Sequence, residues 1–130
     1  MKTKCKGRLA DALLIINLTK GTTMVYDYQG HYQYNKVSVT NNASEEMGVY
    51  YCGYVNANNI LITHYVGRAK GDGVSIRSRL LDHLRQDNWP DVSHFGYRVC
   101  TTKKEAEDLE ASEIQRLKPR YNTQGKSYSW

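Results

Sequence analysis

The fold is decided by residues 48–67, GVYYCGYVNANNILITHYVG. Residues 48–56 and 60–67 are rich in tyrosine, valine and isoleucine, which strands favour, and both runs have a length typical of strands. The residues between them, 56–59, are Asn-Ala-Asn-Asn, a composition typical of a tight turn. This stretch therefore predicts an antiparallel pair of strands joined by a turn.

A helix is predicted directly after this pair and a short Gly-Asp-Gly loop. Ser75 can cap its N-terminus, and the apolar residues Ile76, Leu80 and Leu84 recur every four positions. Residues 87–90, Asp-Asn-Trp-Pro, end it.

Residues 95–101 predict a third strand, and a second helix follows it. Thr102 can cap this helix, with Glu105 three positions later as in a capping box, and Pro119 stops it. Its apolar side is expected to carry Ala106, Leu109, Glu113 or Ile114, and Leu117.

The residues before the strand pair predict an N-terminal addition. Helical spacing of apolar residues predicts a helix over residues 8–18, and β-type composition predicts a hairpin over residues 22–40 that turns at Gln29 and Gly30. The expected fold class is α/β (α+β): a small three-stranded antiparallel sheet flanked by helices, with an N-terminal helix and β-hairpin addition. The expected divisions are an extension over residues 1–46, a main module over residues 47–122 and a tail over residues 123–130.

Charge is concentrated near the N-terminus. Residues 1–44 contain six lysines and arginines against two aspartates, a net charge of +4, whereas residues 45–130 carry twelve against eleven, a net charge of +1. A basic arm suits a polyanionic partner such as nucleic acid, although a solubilising terminus is an equally ordinary explanation. The cationic residues of the arm are Lys2, Lys4, Lys6 and Arg8.

Cysteine usage and hydropathy indicate the compartment. Three cysteines, Cys5, Cys52 and Cys100, are odd in number and widely spread, which disfavours a disulfide framework or structural zinc. The basic start followed by the apolar run 12–16 resembles a signal peptide, but Asp11 and Asn17 bound that run and no cleavage site follows. A cytoplasmic protein with no membrane partner is therefore expected.

Two polar residues share a face of the helix that is predicted to begin after Ser75. Arg79 and His83 are four positions apart, so their side chains project about one turn from each other. An arginine can bind a phosphate through a fork of hydrogen bonds, and a histidine nearby can donate a proton or position a leaving oxygen. A solvated arginine and a surface histidine are the alternative explanation.

Glu110 stands out on the second helix. It follows Ala106 by four positions and precedes Ile114 by four, which places a carboxylate on the apolar side. A carboxylate is costly there unless it is paired or binds a cation. Glu110 is either a ligand of Mg²⁺, which is often held by one or two carboxylates plus waters and phosphate, or a boundary residue paired with a lysine.

These residues occur together with two tripeptides, Gly48-Val49-Tyr50 and Tyr65-Val66-Gly67. The combination resembles the GIY-YIG nuclease superfamily, with valine in place of isoleucine in both halves. Arg79 with His83, the single acidic residue Glu110 and the run Lys118-Pro119-Arg120-Tyr121-Asn122 resemble the corresponding parts of homing, restriction and excision-repair members. The resemblance covers residues 47–122 and leaves residues 1–46 unexplained. The long turn after the first strand and residues 70–74 depart from the pattern.

The resemblance implies a metal-dependent DNA endonuclease, restriction-like or phage-type, that leaves a 5′-phosphate and a 3′-hydroxyl. It implies one Mg²⁺ or Mn²⁺ ion per site, held by Glu110. Tyr50 would orient and help deprotonate the attacking water with support from Tyr65, Arg79 would offset charge in the transition state, and His83 would assist Tyr50 or the leaving group. Asn122 would fix Glu110 or the backbone near the metal. The catalytic residues implied are Tyr50, Tyr65, Arg79, His83, Glu110 and Asn122.

The expected partner is DNA, and a homodimer or larger assembly would help one site per chain cut both strands. The basic residues expected to contact DNA are Arg68, Lys70, Arg77 and Arg120, together with Lys2, Lys4, Lys6 and Arg8. Two alternatives stay open: a catalytically inactive DNA-binding module on the same fold, and an interaction protein whose tyrosines form a binding surface.

Overall fold

The structure is a computed structural model that describes residues 24–123. The predicted helix over residues 8–18 and the start of the predicted hairpin, residues 22 and 23, lie outside the described residues. So do the basic residues Lys2, Lys4, Lys6 and Arg8, as well as Cys5 and residues 124–130.

A four-stranded antiparallel sheet forms the centre of the domain. Its strands are β1 (Gln29–Gln33), β2 (Gly48–Val55), β3 (Leu61–Ala69) and β4 (His94–Val99), in the order β1-β4-β2-β3. The predicted small α+β fold is confirmed at this level. The predicted count of three strands is wrong, because β1 pairs with the outer edge of β4.

Among the described residues, four helices accompany the sheet: α1 (Lys36–Asn42), α2 (Ile76–Gln86), α3 (Lys103–Leu117) and α4 (Arg120–Thr123). The predicted caps are confirmed, since the side chains of Ser75 and Thr102 accept hydrogen bonds from backbone N–H groups three residues on. Within residues 24–123, no helix is both long enough and apolar enough to cross a membrane.

The hairpin predicted over residues 22–40 is wrong in its described part. Gln29 and Gly30 begin β1 instead of forming a turn, and Lys36–Asn42 is a helix. The Asn35 side chain caps this helix by accepting a hydrogen bond from the Ser38 N–H at 2.8 Å. Val39 is fully buried against the sheet, and this burial outweighs the β-propensity of its neighbours.

The two faces of the sheet carry separate apolar clusters. The face covered by α1 and α2, here called the α2 face, contains Tyr50, Tyr65, Ile76, Leu80 and Phe95. The opposite face, here called the α3 face, is covered by α3 and contains Val49, Tyr51, Val66, Cys100 and Ala106. Successive residues of β2 and β3 alternate between these faces, as the pleat of a strand requires.

Candidate active site

Tyr50 and Tyr65 lie on the α2 face, on neighbouring strands. Their ring centroids are 6.2 Å apart. Tyr50 is paired across the strands with Gly67, and its ring lies directly over that glycine. A Cβ atom at Gly67 would be 2.4 Å from Cζ of Tyr50, so a side chain there would collide with the ring. The glycine of the second tripeptide therefore makes room for the tyrosine of the first.

Helix α2 brings Arg79 and His83 to the same place. His83 Nε2 is 3.0 Å from the Tyr50 hydroxyl, and the charge of Arg79 acts on Tyr50 to lower its pKa. The imidazole also meets the Tyr65 ring edge-on, with centroids 5.4 Å apart. Arg79 in turn lies 3.9 Å from a carboxylate oxygen of Asp82. We call Tyr50, Tyr65, Arg79 and His83 the Tyr50 cluster.

Burial sets the protonation states in the Tyr50 cluster. Burial raises the pKa of Tyr50 well above its ordinary value, the neighbouring Tyr65 adds to this, and the charge and hydrogen bond of Arg79 oppose it. Burial and the adjacent Arg79 lower the pKa of His83 to about 4. At neutral pH the cluster therefore contains a protonated phenol and an uncharged imidazole.

The Tyr50 cluster is closed to solvent on the tyrosine side. Tyr50 is 0% exposed and His83 is 1% exposed, while the side chain of Arg79 retains 17% exposure. Arg79 is therefore the most exposed member of the Tyr50 cluster.

Glu110 lies on α3, which packs on the α3 face, and its contact is with Arg68. Arg68 Nη1 donates to Glu110 Oε1 at 3.1 Å. Burial raises the pKa of the Glu110 carboxyl, and Arg68 opposes that rise. The expected position on the apolar side of the helix is reproduced in part, because the side chain is 24% exposed. The structure thus places the carboxylate beside a cation on β3 and not in hydrogen-bond contact with the Tyr50 cluster.

One strand links these two groups of residues. Tyr65 and Gly67 of β3 meet Tyr50 on the α2 face, and Val66 and Arg68 meet the elements of the α3 face. The Tyr50 cluster and the Arg68–Glu110 ion pair therefore flank the same four residues of an edge strand.

The donor set of Glu110 suits a magnesium ion held mainly by water and phosphate. Its second oxygen, Oε2, accepts no hydrogen bond from any residue in the range 24–123. No group of three histidine, cysteine or acidic residues that could hold a metal occurs among the described residues. One carboxylate with a spare oxygen is the smallest set that holds Mg²⁺ with several waters, and it does not suit a structural zinc.

Asn122 binds the backbone of β3. Its Oδ1 accepts a hydrogen bond from the Val66 N–H at 2.8 Å, and its Nδ2 donates to the Val66 carbonyl at 2.9 Å. Of the two roles expected for Asn122, a contact with Glu110 or with the backbone, the structure shows the backbone contact.

Three of the four described basic residues expected to contact DNA are held in ion pairs. Arg68 pairs with Glu110, Arg77 with Glu45 at 2.6 Å, and Arg120 with Asp91 at 3.2 Å. Lys70 is exposed. Phosphate binding by these arginines would have to compete with their carboxylate partners.

Sequence reasoning missed two neighbours of His83. The Trp89 ring lies 4.4 Å from the His83 ring and 4.7 Å from that of Tyr65. The Asn88 side-chain nitrogen lies 3.1 Å from His83 Nδ1. From the sequence, these residues indicated only the end of a helix. They also form a tight turn, and a tight turn after a helix can fold back onto the last helical turn, where His83 lies.

Glu113, which the sequence offered as an alternative to Ile114 on the apolar side of α3, is a buried carboxylate. Glu113 is 8% exposed. It accepts a hydrogen bond from the Tyr51 hydroxyl at 3.0 Å and is held by both ends of the Arg116 guanidinium. These bonds lower the pKa of Glu113, so it stays ionised on the α3 face.

The site thus consists of a closed tyrosine, histidine and arginine cluster on one face of β3 and an arginine-carboxylate pair on the other. Comparison of the chain with known protein families, with curated proteins and with solved structures found no significant match.

Proposed function

We propose that this chain is a metal-dependent DNA endonuclease of the GIY-YIG kind, which hydrolyses phosphodiester bonds to a 5′-phosphate and a 3′-hydroxyl. The observation that supports the proposal best is the meeting of Tyr50, Tyr65, Arg79 and His83, which come from three separate elements. A surface arginine and a surface histidine would not be expected to lie against two buried phenols.

Arg79 is the group that would meet the scissile phosphate first. It is the partly exposed member of the cluster, and its charge lowers the pKa of Tyr50. A preorganised cation at this place would offset the charge that develops in the transition state, a contribution of about 3–4 kcal/mol where such donors have been removed. Tyr50 would orient the attacking water with support from Tyr65, which requires its hydroxyl to become accessible when DNA binds.

Glu110 would hold one Mg²⁺ or Mn²⁺ ion through its spare oxygen. Such an ion supplies charge neutralisation at the phosphate and assists deprotonation of water. Arg68, already beside Glu110, would donate hydrogen bonds to a phosphate oxygen on the same side of β3. Asn122 would keep the Tyr65-Val66-Gly67 backbone in place between the two groups.

The proposed partner is DNA, and the proposed setting is a compact restriction-like or phage-type enzyme in the cytoplasm. The charge of +4 in residues 1–44 suits non-specific attraction to the DNA backbone. A homodimer would supply two sites for cutting both strands.

A second candidate is a catalytically inactive DNA-binding module on the same fold. Two observations favour it: Tyr50 is 0% exposed, and Glu110 is already paired with Arg68. In that case the tyrosines and the histidine would stabilise the core and would have no part in chemistry.

Cleavage of supercoiled plasmid with and without Mg²⁺ or Mn²⁺ separates the two candidates. The wild-type chain should convert the plasmid to open-circular or linear forms only with the metal. Glu110→Ala should abolish this conversion and retain DNA binding in a gel-shift assay. Glu107→Ala, which removes an exposed carboxylate one turn away on α3, is the matched control and should cut normally. Binding without cleavage by the wild-type chain would favour the inactive module.

A further inference from the structure

We infer that Asn88 is a positioning residue that fixes the tautomer of His83, with the ring proton on Nε2, so that His83 donates a hydrogen bond to Tyr50 and does not act as its base. The inference rests on hydrogen-bond geometry at His83, and only its effect on cleavage rests on the proposed function. It concerns the segment after α2, to which the sequence assigned no role beyond ending a helix.

The end of α2 places Asn88 against His83. Asp87 adopts a left-handed conformation with φ of 54°, and its N–H bonds to the carbonyls of His83 and Leu84. This turn brings the Asn88 side-chain nitrogen to 3.1 Å from His83 Nδ1. Trp89 then covers the imidazole, with ring centroids 4.4 Å apart. The three residues after the helix therefore hold the ring in one orientation.

The direction of the Asn88 bond follows from its chemistry. An amide nitrogen only donates, so His83 Nδ1 accepts. The same nitrogen is 3.2 Å from the side-chain oxygen of Gln86, which is also an acceptor. The Gln86 contact therefore agrees with a donor at this position. An uncharged imidazole has one N–H, and with Nδ1 accepting, that hydrogen is on Nε2.

The consequence falls on Tyr50. His83 Nε2 is 3.0 Å from the Tyr50 hydroxyl oxygen, so it donates to that oxygen. The nearby positive charge of Arg79 also favours the ionised form of Tyr50. The oxygen of Tyr50 thus receives a hydrogen bond from His83 and lies near the charge of Arg79, and both stabilise a developing negative charge on it. His83 cannot take the Tyr50 proton in this arrangement, because its Nε2 already carries one.

The tautomer can be read by nitrogen NMR of the full chain labelled with ¹⁵N-histidine, near pH 7. Loss of signals in His83→Gln assigns the two ring nitrogens of His83. We expect a protonated Nε2 and an unprotonated Nδ1. A protonated Nδ1 with an unprotonated Nε2 would overturn the inference, because Tyr50 would then be the donor and the Asn88 amide would be turned around.

Asn88→Asp replaces the donor next to His83 Nδ1 with an acceptor, because a carboxylate only accepts hydrogen bonds. Asn88 is exposed, so the variant should fold, and we expect Nδ1 to gain a proton. Gln86→Glu is the matched control: it adds the same charge two residues away and keeps an acceptor for Asn88. This control should show the wild-type pattern. An Asn88→Asp spectrum with the wild-type pattern would show that Asn88 does not set the tautomer.

The rate of DNA cleavage is a second measurement, and its outcome is independent of the NMR result. If the wild-type chain cuts DNA, Asn88→Asp should cut about tenfold or more slowly, as is common for groups that orient a site residue, and Gln86→Glu should not. Equal rates for Asn88→Asp and the wild type would remove the catalytic importance of the tautomer. Absence of cleavage by the wild type would refute the proposed function and leave the NMR result standing.

Discussion

The side-chain amide of Asn122 forms hydrogen bonds with both backbone groups of Val66, at 2.8 Å and 2.9 Å. Because β3 is an edge strand within residues 24–123, no described strand pairs with these two groups on that side. Asn122 therefore forms with Val66 the two backbone hydrogen bonds that a further strand would form. It ties α4 to the middle of the Tyr65-Val66-Gly67 segment, which lies between the two halves of the proposed site.

We predict that Asn122→Asp lowers the free energy of unfolding by about 1–3 kcal/mol, the cost of leaving such a polar group without a partner. The new carboxylate can still accept a hydrogen bond from the Val66 N–H. Its other oxygen cannot donate to the Val66 carbonyl, so that carbonyl loses its partner. Urea denaturation measures the effect. Asn58→Asp, an exposed asparagine in the turn between β2 and β3, is the control and should be near neutral. Equal midpoints for the two variants would contradict the prediction.

The elements that the sequence predicted correctly are those with local signals. The β2–β3 pair followed from two β-rich runs around an asparagine turn, and α2 and α3 followed from Ser75 and Thr102 as caps. Such signals act within a few residues, so they can be read without knowing the rest of the fold.

The elements that were missed depend on distant partners. Residues 36–42, Lys-Val-Ser-Val-Thr-Asn-Asn, have a β-type composition, yet they form α1 because Val39 is buried against distant residues. Likewise, β1 exists through its pairing with β4, which lies far along the chain. The side of β3 on which Glu110 would act also depends on packing, since the spacing of residues on α3 does not show that Arg68 is its partner.

We predict that Gly67→Ala displaces the Tyr50 ring and destabilises the domain by about 1–3 kcal/mol, the usual cost of overpacking. The new Cβ would be 2.4 Å from the ring. The loss should shrink when Tyr50 is replaced by leucine, because the colliding atoms are then gone. A double-mutant cycle on the free energy of unfolding measures this coupling. Additive effects of Gly67→Ala and Tyr50→Leu would show that the ring does not lie over the glycine.

We predict that His83 makes the domain less stable as the pH falls from about 6.5 to about 4. Its pKa in the folded state is lowered from 6.5 to about 4, so the unfolded chain binds more protons within this window. The stability contribution is therefore complete above pH 6.5 and is lost on acidification, by about 3 kcal/mol in total.

The difference between the wild type and His83→Gln isolates this contribution from that of the acidic residues. Urea unfolding of both proteins at several pH values should give curves that converge toward pH 4. Parallel curves across this range would mean that His83 has an ordinary pKa in the folded protein.

We predict that cleavage declines on acidification at a pH above the ordinary range of a glutamate, because burial raises the pKa of Glu110. Only the ionised carboxylate binds a cation, so activity is present above this pKa and is lost as the pH falls through it. Cleavage rates at several pH values and Mg²⁺ concentrations test the assignment. Higher Mg²⁺ should move the decline to lower pH, since metal and proton compete for the same oxygen. A decline that is independent of Mg²⁺ would assign it to another group.

Single-turnover cleavage by Arg79→Ala shows whether the residues gathered around Tyr50 form a phosphate-cleaving site. Arg85→Ala, an exposed arginine of the same helix, is the matched control. We expect a wild-type rate for Arg85→Ala and a loss of about 10²–10³-fold for Arg79→Ala, with its fold and DNA affinity retained. Equal cleavage by both variants, or no metal-dependent cleavage by the wild-type chain, would contradict this expectation.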